Sequence, residues 1–432
     1  MVKLTAYEQK MLNGEMGEFK QKALEFIVKY ANVLGAEELC EVTRATLFIG
    51  AQHYLDVFET DDYEEIFSKF YLSSDKKIKF GNFSENCVCQ TCAAACDLTD
   101  YETTHLSKEF FDKDRRFLEI TKKAGVNIVN SCTPYYVGWL PLMGEHFVTT
   151  ESSNTLMSNS FFGAYGNSDG IEAAVCSAIC GRTPLWGNHI KENRYGTVVF
   201  NIQCKSDTVY DWDIIGYTVG RYLPFSEKPI ISGDFKRPNI NKLRQLFSAL
   251  ATTSAAEICH IVGITPEAHT LEMALGGKPP IKTINITDLE YKESEKMICD
   301  PGSGEVDYVN IGCPHLALDE LRDVALYMEG KKVKDHVEFL IWTDYATKAM
   351  SDVNGYTKII EDAGAHVLTG SCPVVMKEAS HKHAKAMVMN GAKQAHAIKA
   401  QTKAKVYFGD IYQCIDAAIS GRWEGYYGED NN

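Results

Sequence analysis

No stretch of this 432-residue chain is apolar for long enough to span a bilayer, and its opening residues, Met1-Val2-Lys3-Leu4-Thr5-Ala6-Tyr7, lack the apolar core of a signal peptide. Positive charge is also scarce: 44 Lys and Arg against 58 Asp and Glu leave a net charge of -14. That balance argues against a nucleic-acid partner or an anionic membrane surface, while leaving room for a local basic pocket. Residues 200–300 carry strand-like runs and a helix near 241–252, but no chemical motif. With no export signal, the expected compartment is the reducing cytoplasm, where thiols stay free or bind metal. Thiols are what the chain does have: 14 cysteines, a liability in air that suggests an anaerobic or microaerobic source.

Length suggests two or three domains. The pattern divides into an N-terminal α/β domain with a polar run (1–199), a middle α/β domain (200–300) and a C-terminal βαβα domain (301–432). Three cysteines stand out by context. Asn130-Ser131-Cys132-Thr133-Pro134, Ile311-Gly312-Cys313-Pro314-His315 and Gly370-Ser371-Cys372-Pro373 each follow an apolar, β-branched run. Each reads as a strand ended by a tight turn, since proline cannot donate to a ladder. The first and third units also share an upstream helix end closed by glycine, ITKKAG and IIEDAG. Ligands in open α/β sheets bind at the carboxyl ends of strands, so three thiols at three such ends can meet at one point.

Other cysteines read differently. Cys87, Cys89, Cys92 and Cys96 could hold zinc or a cluster, but they lack the two separated knuckles of a metal site, and Cys92 to Cys96 runs on like a helix start. Cys40, Cys176, Cys180, Cys204, Cys259 and Cys414 read as core residues. The run Glu151-Ser152-Ser153-Asn154, Asn159-Ser160, Gly163 and Asn167 is either a ligand-binding surface or a satisfied buried network. Arg194 offers a fork suited to a carboxylate, with a salt bridge as the plainer reading. The segment 381–405 is locally basic and reads as a solvated helix face; within it Lys393, after Asn390-Gly391-Ala392, is best placed to meet an acidic substrate.

The succession MLNGEMG, SCTPYY, the GEH…ESSN…NS run, GRTPLWGNHIKENRYG, IGCPH, SCPVV and NGAK resembles, nearly end to end, the large catalytic unit of aconitase X. The resemblance implies a multidomain α/β, aconitase-like architecture with parallel sheets whose strand ends converge on an iron–sulfur site. It implies a hydro-lyase whose cluster, [4Fe–4S] favoured although three cysteines do not fix the nuclearity, sits on Cys132, Cys313 and Cys372. Substrate-contacting positions fall on Gly50, Ala51, Gln52, Cys92, Ala93, Glu151, Ser152 and Lys393, with Arg194 added as a further carboxylate ligand. Relatives often have a small hydroxyl residue at Gln52 and Asn at Cys92, so the substrate is not simply carried over. The family dehydrates cis-3-hydroxy-L-proline or mevalonate 5-phosphate. A phosphate would favour more cationic and amide contacts than Gln52 and Cys92 offer, which points to a small hydroxy-carboxylate, cis-3-hydroxy-L-proline first. The base is expected to be a serine on a separate small swivelling subunit, making a heterodimer. Readings of other kinds are a non-catalytic thiolate metal protein and a degenerate, inactive family member.

Overall fold

A computed structural model describes residues 2–48, 60, 62–94, 97, 99–376 and 381–425. Gly50, Ala51, Gln52 and Cys96 lie outside the described residues. The first third of the chain contributes β1 (Leu39–Glu41), β2 (Arg44–Leu47), β3 (Val88–Thr91), β4 (Phe147–Thr149) and β5 (Arg182–Pro184). β3, β2 and β4 form a parallel sheet in that order, and β1 pairs antiparallel with β5. The helix Glu18–Leu34 buries Phe19, Ala23, Ile27 and Ala31 at helical spacing and stops at Gly35 (φ 75°), a left-handed cap that glycine adopts without strain.

The middle sheet is β6 (Val198–Ile202), β7 (Pro229–Gly233), β8 (His260–Ile261) and β9 (Lys282–Ile286), all parallel, in the order β8-β7-β6-β9. β6 opens at Val198, ahead of the boundary expected at 199. The helices Val209–Tyr222 and Ile240–Thr253 pack closely because Gly216 lies against the Leu246 carbonyl, where a side chain would clash.

The last third adds β10 (Gly304–Glu305), β11 (Tyr308–Ile311), β12 (Glu338–Thr343), β13 (His366–Thr369), β14 (Ala386–Met389), β15 (Lys405–Phe408) and β16 (Arg422–Trp423). Five of them make a parallel sheet ordered β13-β12-β11-β14-β15. β11 is buried along its whole length, and β12 beyond its first residue; the sheet has helices packed on it, so these strands read as apolar runs rather than alternating ones. The segment 381–405 is not one solvated helix: it holds β14, and then the helix Ala392–Lys399, with β15 following directly. Those two strands reverse the winding. The chain leaves β11 toward β12 and β13, then returns to β14 on the other side, so the crevice between β11 and β14 is a topological switch point.

The segment before Cys132 departs from expectation. In place of a strand at 126–129 there is a single parallel bridge, Asn127 to Gln90. The Thr91 hydroxyl accepts the amides of Val129 and Asn130 (2.9 and 3.0 Å), and Asn130 turns away at φ 51°. A side chain replaces the ladder there.

Candidate active site

Cys313 follows β11 and Lys393 follows β14, so the switch-point crevice is flanked by a thiol and an ammonium. Two glycines let these turns touch. A Cβ on Gly312 would strike the Trp342 backbone, and one on Gly391 would strike the Cys313 carbonyl oxygen. The middle domain braces the same turns. Gln245 donates to Asp213 (2.9 Å) and to the Cys313 carbonyl (3.4 Å), Asp213 also accepts the Ala392 amide (2.8 Å), and Arg244 donates to the His315 carbonyl (3.1 Å) while forked onto Glu320. Burial pushes the Asp213 carboxyl up to about 7.

Cys372 follows β13, two strands from Cys313, with β12 between them in space as well as in sequence. Its turn is pinned by Asp97, which accepts the Thr369 amide (2.6 Å) and hydroxyl (2.8 Å), and by Ala94, whose amide donates to Gly370 (2.7 Å). Cys132 arrives from the first domain. Cys313 and Cys372 are buried and Cys132 is partly buried, and the three sense one another. The Cys313 thiol donates to Cys372, which raises the first and lowers the second. The amides of Val374 and Val375 add to the lowering at Cys372. Burial, then the Glu151 charge, then Cys372 push the Cys132 thiol up to about 12, while its sulfur accepts the His315 amide at 3.4 Å.

His315, two residues after Cys313, has a role that its motif alone does not reveal. It is fully buried; Nε2 donates to the Ser371 carbonyl (2.9 Å) and Nδ1 faces the Ser131 hydroxyl (3.4 Å). One imidazole therefore ties together the residues just before Cys372 and Cys132 while sitting two residues after Cys313. Burial lowers its pKa, which keeps it neutral with the proton on Nε2.

Against the thiols lies an ion pair. Lys393 donates to Glu151 at 2.5 Å, with both side chains about a fifth exposed (22% and 18%). Burial works against each charge. The pairing wins, holding Glu151 below the usual carboxyl range and Lys393 above its ordinary value. Glu151 is the N-cap of the helix Ser152–Ser160 and also accepts the Ser153 hydroxyl (2.8 Å); Ser152 is exposed at that helix start. Cys92, buried beside Ala93, directs its thiol at Glu151 from 3.9 Å.

Other expected residues fall away from this cluster. Arg194 is buried and committed: it forks onto Glu267 (Nε to Oε1, 3.0 Å), bonds Asn159 (2.9 Å) and stacks on Tyr165. A guanidinium so satisfied has no donors left to offer a carboxylate, so the reading of Arg194 as a substrate ligand gives way to the salt bridge. The polar run beyond Glu151 is largely a satisfied network: Asn154 bonds Thr46 and Thr149, and Asn159 bonds both polar groups of Gly166. A cleft of about 640 Å³ lined by Trp186, Asn188, Lys228 and Glu257 contains none of the three thiols.

Two buried thiols and a partly buried third on adjoining turns, with an ion pair beside them, form one thiol-rich polar centre. The chain belongs to the aconitase X family: residues 1–192, 196–296 and 306–420 match the models described as Aconitase X first, second and third domain. It is similar to the phosphomevalonate dehydratase large subunit of Thermococcus kodakarensis, 31% identical over 86% of this chain and 89% of that one. The corresponding subunit of Methanocaldococcus jannaschii is 30% identical over 95% and 99%. The cis-3-hydroxy-L-proline dehydratase of Pseudomonas aeruginosa is 25% identical over 97% of this chain and 70% of its own. A crystal structure of Thermococcus kodakaraensis aconitase X in its holo-form superposes with a TM-score of 0.83 at 28% identity, covering 96% of this chain and all of that one. The family's named members are dehydratases, which makes this chain a hydro-lyase by class.

Proposed function

We propose that this chain is the cluster-bearing unit of an aconitase X hydro-lyase that removes water from a small hydroxy amino acid, cis-3-hydroxy-L-proline. The observation that carries the reading is the Lys393–Glu151 pair beside the thiols. One cation and one anion match a zwitterion, with Lys393 holding the carboxylate and Glu151 the ammonium. A phosphomonoester would meet a lysine already neutralised by Glu151. Mevalonate 5-phosphate remains the second reading, favoured by the names of the relatives from Thermococcus and Methanocaldococcus.

Cys132, Cys313 and Cys372 would hold an iron–sulfur cluster, [4Fe–4S] favoured. The donors fit: thiolates are what such clusters take, and amides of His315, Val374 and Val375 already face the sulfurs, an arrangement that stabilises thiolate charge. When bound there, the cluster would supply a Lewis-acidic iron that makes hydroxide a better leaving group. Lys393 and Glu151 orient the substrate so that the carbon beside its carboxylate faces outward, with Ser152 and Cys92 at the margins. The proton on that carbon passes to a base, expected to be a serine on a small swivelling subunit docked over the strand ends. The large-subunit names of the relatives support such a partner. The reducing cytoplasm suits a chain so rich in thiols.

The test is anaerobic co-expression with a candidate small swivelling-domain subunit, then mass-spectrometric detection of water loss from each substrate. Turnover of cis-3-hydroxy-L-proline is expected. Turnover of mevalonate 5-phosphate alone transfers the chain to the second reading, and iron-loaded protein inert on both rejects the two together.

A further inference from the structure

The first domain gathers a second set of metal-type donors that the proposed activity does not use. Cys40 in β1, His146 just before β4 and His189 at the end of the short turn Gly187–His189 each offer one ligand atom, all within 4.8 Å of one another. Cys40 was expected to be an ordinary core thiol; it is half-buried against two imidazoles. The two rings meet Nδ1 to Nδ1 at 3.0 Å, so one nitrogen must carry a proton and the other none. Nε2 of His189 is buried without a partner, in a residue only 3% exposed. Nearby, the partly buried Asp169 has a buried, unpartnered Oδ2, its other oxygen accepting the Tyr30 hydroxyl at 3.2 Å, and its charge acts on the Cys40 thiol.

We propose that Cys40, His146 and His189 bind a divalent ion of the zinc class, with Asp169 as the neighbouring counter-charge. One thiolate and two neutral imidazoles are a donor set that selects zinc over magnesium or calcium. Tetrahedral zinc at ordinary bond lengths separates its donors by about 3.4 Å, close to the approach of the two rings. Binding releases to solvent the Cys40 proton and any proton held by Asp169, and the resulting thiolate and carboxylate balance the ion's two charges. The local cations do not oppose it strongly, because each is spent elsewhere: Arg182 on Glu8 (2.9 Å) and Arg194 on Glu267 (2.5 Å). The ion would join the β1–β5 ribbon to the β3-β2-β4 sheet, a structural tie. A second group, His105, Glu338 and His383, is explained without metal, since both imidazoles sit 3.0 Å from one Glu338 oxygen.

Metal analysis of the anaerobic holoprotein after zinc titration and removal of excess is the test. About one zinc per chain is expected beside the iron, with a rise in Tm on addition. Cys40→Ser and His146→Gln should each weaken zinc retention at least tenfold and leave iron unchanged. In the Cys132→Ser background, cobalt should give a thiolate-to-metal band that Cys40→Ser removes. His146 is partly exposed, so its variant carries the test if Cys40→Ser does not fold. No zinc uptake by the wild type, or equal uptake by both variants, would overturn the assignment.

Discussion

The Nε2 of His315 lies 2.9 Å from the carbonyl oxygen of Ser371, so the turn carrying Cys313 holds the turn carrying Cys372. The other ring nitrogen reaches Ser131, 184 residues away in sequence. His315→Ala would leave the buried Ser371 carbonyl without a donor, at a cost of about 1–3 kcal/mol, and loosen all three thiol turns. Lower iron retention and a lower denaturation midpoint are expected, and His315→Gln, whose amide can still donate, should recover part of both. Unchanged iron in His315→Ala would remove it from this role.

Replacing any one of Cys132, Cys313 and Cys372 by Ser should abolish the visible absorbance of the holoprotein and its activity. Cys89→Ser should not, because that thiol is buried in β3 and its pKa is set by burial first and by Cys87 second. Cluster loss in Cys89→Ser with retention in the other three would reverse the assignment.

Glu151→Gln separates the two substrates. A hydrogen bond to a charged group contributes about 1.5–3 kcal/mol, so kcat/KM for cis-3-hydroxy-L-proline should fall roughly 10- to 150-fold. The same change frees Lys393 and should not impair mevalonate 5-phosphate. Steady-state kinetics on both compounds decide it, and equal losses on the two would sink the zwitterion argument.

Arg194→Met should act on stability and not on substrate binding. Breaking a buried pair leaves Glu267 uncompensated and costs about 3–5 kcal/mol. Chemical denaturation should register that loss while KM holds in the folded fraction. A KM effect without a stability effect would return Arg194 to the substrate.

Asp213 sets a pH dependence whose sign follows from its raised pKa. Its folded value of about 7 exceeds the ordinary carboxyl value near 3.8, so the folded state prefers the protonated form. Stability from this group is whole below the unfolded pKa and is lost as pH rises toward 7, by roughly 4 kcal/mol. Asp213→Asn keeps an acceptor for Ala392 and removes the titration. Thermal melts of the two proteins should coincide near pH 4 and diverge above pH 7 in favour of the variant; parallel curves would refute it.

Local signals were enough for much of this molecule. A β-branched run closed by Gly-Cys-Pro or Ser-Cys-Pro specifies a strand end by backbone sterics alone, so Cys313 and Cys372 were legible on their own, and β11, the helix Leu318–Met328, β12 and β13 followed as βαβα. The same rule failed at Cys132, where the Thr91 hydroxyl, 38 residues from Val129, takes over the hydrogen bonds that a strand would have used. Partner choice was decided only by the tertiary structure. Arg194 and Lys393 both read as cations for a carboxylate, yet one is consumed by Glu267 and the other faces the thiols through Glu151. Cys40 became a neighbour of two histidines, and His315 a tether for three turns, because ion pairs and imidazole contacts form between groups far apart in the chain, and such distances leave no period or spacing to read.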